Sequence, residues 1–207
     1  MERKIVQIID YGVGNLSSVG NMIIKSGGKP ILIKNPSDLN LSERIILPGV
    51  GSFDAGMKNL KDSNLIPVLN EAVNVNKVPF IGICLGMQLL FDTSEEGVSN
   101  GLGWVSGSVT KFSFDNNSTL KTPHMGWNTV SVKKDSILAN IRDEKLRFYF
   151  VHSYHVNCTN KDNILMTTNY GNTFVSAVQN DNIFGAQFHP EKSHRFGMDL
   201  LSNFIKI

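Results

Sequence analysis

Cys84 stands between two glycines in Gly82-Ile83-Cys84-Leu85-Gly86, and a thiol spaced in that way points to nucleophilic chemistry. Phe80 to Ile83 has the apolar character of a short buried strand, and Leu85, Leu89 and Leu90 recur at helical spacing, so the cysteine falls on a strand-to-helix turn. A glycine two residues to either side relieves the crowding of so sharp a turn, as in the G-x-S-x-G elbow with sulfur in place of oxygen. The positive end of the following helix favours thiolate, which is the nucleophilic form. A lone cysteine among Phe, Ile and Leu can also be a small buried hydrophobe, and the two glycines are what weigh against that.

A thiol nucleophile needs a base that takes its proton and later gives it to the leaving group, and histidine suits both steps near neutrality. Five histidines compete: His124, His152, His155, His189 and His194. His189 ends the strand-like run Ile183 to Phe188, where Pro190 stops the strand and Glu191 follows. Residues two apart in extended chain point to the same side, so the Glu191 carboxylate can orient the imidazole. Cys84, His189 and Glu191 thus make a candidate triad. His152 and His155 face opposite sides of one regular strand, so at most one lines a site. The cysteines and histidines have no paired ligand spacing, and no metal is expected.

The elements that must position these groups begin with a strand at Ile5 to Ile9, the turn Asp10 to Asn15, and a helix through Val19, Ile23 and Ile24. Gly12 and Gly14 lack the third glycine and the acidic residue of a dinucleotide fingerprint, so no cofactor is expected. Strands at Ile31 to Ile33 and Arg44 to Leu47 follow, the second ending in Pro48-Gly49-Val50-Gly51-Ser52-Phe53 before apolar residues resume helical spacing. This alternation predicts an α/β fold: a mostly parallel sheet flanked by helices, with both glycine loops and Cys84 at the carboxyl ends of its strands. Beyond Thr93 the chain becomes rich in antiparallel hairpins, with strands at Val105 to Phe112, Val130 to Val132, Arg147 to Val156, Ile164 to Thr168, Phe174 to Gln179 and Ile183 to Phe188. A last helix spans roughly Ser193 to Ile205.

At 207 residues and 41% hydrophobic, the chain fits one domain, 1–207. Its 20 basic and 18 acidic residues are scattered and leave a net charge of +2, so neither nucleic acid nor a membrane surface is indicated as a partner. No run of apolar residues reaches a membrane span, Met1 to Lys4 lacks the features of a signal peptide, and two free thiols are expected, so the expected setting is cytoplasmic. Cys158, in a polar stretch ending a strand, is read as incidental.

The elbow, the loop Pro48 to Phe53 and Phe188-His189-Pro190-Glu191 together resemble the class I, triad-type glutamine amidotransferases. The likeness extends from Asp10-Tyr11-Gly12-Val13-Gly14-Asn15 through Pro123-His124-Met125-Gly126-Trp127-Asn128 to Phe150-Val151-His152-Ser153-Tyr154, so it covers essentially the whole chain in order. Within the family these motifs are similar to the glutaminase subunits that serve a synthase of histidine biosynthesis. The resemblance implies hydrolysis of L-glutamine to glutamate and ammonia, without a cofactor, and delivery of ammonia to a (β/α)8-barrel synthase subunit in a heterodimer. By analogy with other elbow enzymes it also implies an oxyanion site at the backbone of Leu85 with Val50 or Gly51. Gln88, Gly49, Ser153 and Tyr154 are then the candidates for holding glutamine.

Three other functions remain open at this point. A related branch supplies ammonia for amidation of surface sugars, and His155 stands where tyrosine or a small residue is expected in the histidine-pathway subunits. A catalytically silent binding subunit would keep the fold but has no use for an intact Cys84, His189 and Glu191. A stand-alone cysteine peptidase could use the elbow, but Gln88 and Ser153-Tyr154 favour a small amino-acid substrate.

Overall fold

The computed structural model describes residues 3–115, 119–141 and 145–207, so of the Met1 to Lys4 stretch only Arg3 and Lys4 fall within it. The first half alternates strand and helix: β1 Ile5–Ile9, α1 Leu16–Lys25, β2 Lys29–Ile33, β3 Arg44–Gly49, α2 Phe53–Asp62, α3 Leu65–Asn70, β4 Phe80–Cys84 and α4 Leu85–Gln88. Strands dominate the second half: β5 Thr93–Ser94, β6 Gly107–Lys111, β7 His124–Thr129, β8 Ser131–Val132, β9 Arg147–His152, β10 Tyr154–Cys158, β11 Ile164–Tyr170, β12 Asn172–Asn180 and β13 Ile183–Ala186, closed by α5 His194–Lys206.

The main sheet runs in the order β2-β1-β3-β4-β13-β12-β10-β6-β5. Its first five strands are mutually parallel, and β13, β12, β10 and β6 are joined by antiparallel pairings. Period-two alternation sorts the core onto the two faces. Ile9, Leu47 and Phe80 pack with Phe53, Met57 and Leu69 of α2 and α3, while Ile8, Ile46 and Ile81 pack with Val19, Ile23, Leu200 and Phe204 of α1 and α5. β4 lies between β3 and β13 and is buried along its whole length, which fixes the strand that ends at Cys84. Truncating one of its large side chains, such as Phe80 to Ala, costs about 3–5 kcal/mol.

Three sequence expectations change. The helix after Cys84 is a single turn, Leu85–Gln88, and the chain then leaves helical geometry, so Leu89 and Leu90 are buried from a turn rather than from a helix face. The run Arg147 to Val156 is two strands broken at Ser153. β9 pairs with β7 in a separate two-stranded sheet, and β10 joins the main sheet between β12 and β6. The motif around His124 to Asn128, carried above only as a sequence likeness, is itself the strand β7, with His124 directly opposite His152. Continuous apolar alternation across Phe148, Phe150 and Val156 conceals the change of sheet at Ser153.

Among the described residues no helix is long and apolar enough to cross a membrane. The connections after β1 and β3 both emerge at the carboxyl edge of the parallel strands, where a Cβ on Gly14 would lie 3.3 Å from the Pro48 side chain. The elbow is packed tightly. A Cβ on Gly86 would overlap the Leu47 carbonyl oxygen, and one on Gly82 would overlap the Gly86 carbonyl, both of them backbone atoms that cannot swing aside. Gly86→Ala is therefore expected to lower stability by about 1–3 kcal/mol through overpacking, read as a depressed unfolding midpoint in calorimetry. An unchanged midpoint would contradict this packing.

Candidate active site

Cys84 caps the one-turn helix with φ 56° and ψ −111°, a conformation that non-glycine residues adopt only when their surroundings impose it. The imposition comes from β4 on one side and from the Gly86 approach to Leu47 on the other, and its effect is to turn the thiol outward at the top of the sheet. The side chain is nonetheless only 7% exposed, so access is through a pocket. Helix-dipole support for a thiolate is smaller than expected, because four residues align few peptide dipoles. The other cysteine, Cys158, is buried at the end of β10, away from this pocket, and burial pushes its thiol up to about 11.

His189 faces this pocket from the segment after β13, and β9 holds it in place: the His189 N–H donates to the Tyr149 carbonyl at 2.9 Å, and Phe148 stacks on Phe188 at 3.9 Å between ring centroids. Ser193 Oγ donates to the His189 carbonyl at 2.6 Å and accepts the Tyr149 N–H at 3.0 Å, which ties the same two segments again. Nδ1 of His189 lies 2.7 Å from Glu191 Oε1, with both side chains 3% exposed. Burial alone would lower the imidazole pKa, but the hydrogen-bonding influence and charges of Cys84 and Glu191 outweigh it and push it up to about 10. Nε2 has no well-formed hydrogen bond, so the second edge of the imidazole is free.

The pocket has a volume of about 330 Å³. Its walls include Val50 and Gly51 from the loop after β3, Leu85 and Gln88 from the elbow helix, and Val151 to Tyr154 at the break between the two sheets. Leu85 is the first residue of its helix, so its N–H has no partner within the helix and is available at the elbow. Gly49 does not line the pocket. It packs against the elbow instead, where a Cβ would come within 2.7 Å of the Tyr11 hydroxyl and 2.8 Å of the Gly86 nitrogen. That hydroxyl is buried without a hydrogen-bond partner, and burial together with the charge of Cys84 raises its pKa.

Gln88 Nε2 donates to the Tyr154 carbonyl at 3.1 Å and to Gln187 Oε1 at 3.0 Å, so both its amide protons are engaged and Oε1 remains for a ligand. Gln187, which sequence reasoning passed over, is fully buried and points its Nε2 at Cys84 Sγ, 3.8 Å away. A signal was present: it is the polar residue in the apolar run from Ile183, and it is in phase with His189 and Glu191. Glu96 was also missed. It lines the pocket, and its carboxylate accepts the Phe53 N–H at 2.8 Å, so it caps α2 where Ser52 does not. Nothing in Glu95-Glu96-Gly97 distinguishes it from a solvated turn. His152 lines the pocket and His155 does not, the latter packing on Phe112 and Phe174. A buried thiol beside an acid-oriented imidazole and unpaired backbone donors is an arrangement suited to acyl transfer.

Comparison with known proteins places this geometry. The family model for class I glutamine amidotransferases matches residues 7–207. The chain is 53% identical to imidazole glycerol phosphate synthase subunit HisH 2 of Methanococcus maripaludis, covering 97% of this chain and 98% of that one. It is 46% identical to the protein of the same name from Pseudomonas aeruginosa, covering 98% and 99%, and 44% identical to subunit HisH of Leptospira interrogans, covering 98% and 100%. Among solved structures, PurLQS from Thermotoga maritima superposes with a TM-score of 0.75 at 19% identity over 99% of each chain. The glutaminase domain of Trypanosoma brucei CTPS with bound acivicin gives 0.65 at 20% identity, over 98% of this chain and 91% of that one. At such identities the structures speak for the fold.

Because the folded-state pKa of His189 is raised, its charged form stabilises the native state fully below the ordinary histidine value and loses that contribution as pH climbs toward about 10. Glu191→Gln keeps the shape and removes the charge, so the His189 titration followed by NMR is expected to move to lower pH. A titration that stays near the wild-type value would show that Glu191 does not hold the proton there.

Proposed function

The chain belongs to the class I glutamine amidotransferases, and from that premise we propose that it is the glutaminase subunit of an imidazole glycerol phosphate synthase, hydrolysing L-glutamine and passing ammonia to a (β/α)8-barrel subunit in histidine biosynthesis. The observation that carries this is the buried 2.7 Å contact between His189 and Glu191 beside the strained Cys84, in a chain so similar along its length to subunits of that synthase.

In this mechanism a cationic His189 holds Cys84 as thiolate, and the sulfur attacks the side-chain amide carbon of glutamine. The C–N bond breaks as Nε2 of His189 gives its proton to the departing ammonia, leaving a γ-glutamyl thioester. The now neutral Nε2 takes a proton from water, whose oxygen attacks the thioester, releasing glutamate and restoring the thiolate–imidazolium pair. The N–H groups of Leu85 and of Val50 or Gly51 receive the oxyanion in both halves, each worth about 10²–10³ in rate. The Glu96 carboxylate suits the α-ammonium group, and Gln88 Oε1 with the Ser153 and Tyr154 backbone takes the remaining polar atoms of the amino acid.

His155 was the sequence feature that set the sugar-amidation branch apart, and its position outside the pocket gives that alternative no support. A partner surface has material to use near the pocket. Val50 at its rim is 46% exposed, and Met125 and Trp127 are exposed on β7, just after Pro123.

Cys84→Ala is expected to abolish glutamate release while the assembled synthase still works on added ammonia, and wild-type glutamate release from this variant would refute the nucleophile. His189→Ala should fall nearly as far, with the double variant little lower, because the two act as one unit; independent losses would multiply instead. The chain alone is expected to be a poor glutaminase. Adding a barrel synthase with its own ligand should raise kcat more than it lowers KM, by moving the glycine loop from Pro48 to Phe53 toward oxyanion donation. An isolated chain at full rate would rule out this partner dependence.

A further inference from the structure

Two buried histidines outside the triad form one directed chain of hydrogen bonds. Asn128 Nδ2 lies 2.9 Å from the Asn169 carbonyl oxygen and 3.2 Å from His124 Nε2, His124 Nδ1 lies 3.0 Å from His152 Nε2, and His152 Nδ1 lies 2.7 Å from the Tyr154 carbonyl oxygen. The two ends fix every proton between them. Asn169 O can only accept, so the Asn128 amide nitrogen faces both it and the ring, and His124 Nε2 must be the bare, accepting nitrogen. His124 Nδ1 therefore carries the proton and donates to a bare His152 Nε2, which leaves the second proton on His152 Nδ1, directed at Tyr154 O. A second proton on either ring would set two donors against each other.

The surroundings keep both rings neutral. Burial pushes His124 down to about 4, and burial pushes His152 down to about 3 against the opposing bond to Tyr154. His124 and His152 are directly opposed residues of β7 and β9, so the pair spans the small sheet. The carbonyl on which it ends also accepts from Gln88, which bonds Gln187 beside Cys84. The site mechanism uses neither histidine.

We propose that His124 and His152 are positioning residues for the substrate pocket: His124 fixes the tautomer of His152, and His152 holds the Tyr154 carbonyl, and through it Gln88, in the orientation that grips glutamine. The inference rests on the pocket being the glutamine site. Both rings pack against Phe112, Phe150 and Phe174, so phenylalanine keeps an aromatic ring against these neighbours while removing the hydrogen bonds, and asparagine at 152 can supply one N–H where Nδ1 stood without reaching His124.

Glutamine binding is measured by calorimetry on full-length Cys84→Ala, which removes turnover. His152→Phe added to it should weaken binding at least about tenfold, and His152→Asn should recover most of the loss. His124→Phe should weaken binding several-fold when residue 152 is histidine and not at all when it is asparagine, since no tautomer is then left to fix. Nitrogen NMR should find His152 with its proton on Nδ1 at neutral pH, and a mixture of tautomers in His124→Phe. Unchanged binding in His152→Phe, independent losses in the His124→Phe, His152→Asn pair, or a cationic His152 at neutral pH would each overturn the relay. Should His152→Phe not fold, the His124→Phe and His152→Asn pair decides by itself. Failure of Cys84→Ala with both histidines intact to bind glutamine would instead overturn the assignment of the pocket, and the relay with it.

Discussion

The site depends on backbone contacts: the elbow helix approaches the end of β3 so closely that nothing larger than glycine fits at position 86, and it folds back on β4 so closely that the same holds at position 82. Those contacts hold Cys84 in a conformation it would not otherwise adopt, and the strands on either side of β4 make the conformation too costly to relax. Gly49 repeats the constraint from the other side, packed against Leu85 and Gly86, so the loop that carries Val50 and Gly51 to the pocket is registered against the elbow itself. The candidate nucleophile and the candidate oxyanion donors are therefore placed by one tight junction rather than by separate supports.

The candidate base, His189, is placed independently. β9 carries the hydrogen bond that holds the His189 backbone and the aromatic stack that holds Phe188, while Glu191 reaches the imidazole from the 3-10 turn Pro190–Lys192 rather than from the extended chain that the sequence suggested. Since the elbow helix is too short to contribute much field, the buried positive charge on His189 is the main electrostatic asset near the thiol. Glu191 matters because it makes that charge affordable in a site almost without solvent.

Local rules made the first half of the fold legible. Glycine spacing around Cys84 and the apolar runs of β1 and β3 each act within a few residues, and the structure places these elements where such rules put them. What escaped the sequence depends on contacts between distant segments. The break at Ser153 is hidden because apolar alternation continues across it, and only the pairing of β9 with β7 and of β10 with β6 separates the two strands. Glu96 is drawn into the pocket by the N–H of Phe53, far along the chain, and the opposition of His124 to His152 exists only once the register of the small sheet is set.

The change of sheet at Ser153 also has a thermodynamic side. The residues on either side of it belong to different sheets, yet both line one pocket, so a molecule that fills the pocket touches the β7–β9 layer and the main sheet at once. Any part of the binding free energy that depends on the two layers being docked is returned as a stronger docking of the layers, by reciprocity of linked equilibria. The substrate is thus also a fastener across a seam, and the seam is where occupancy of the pocket is converted into stiffness of the protein.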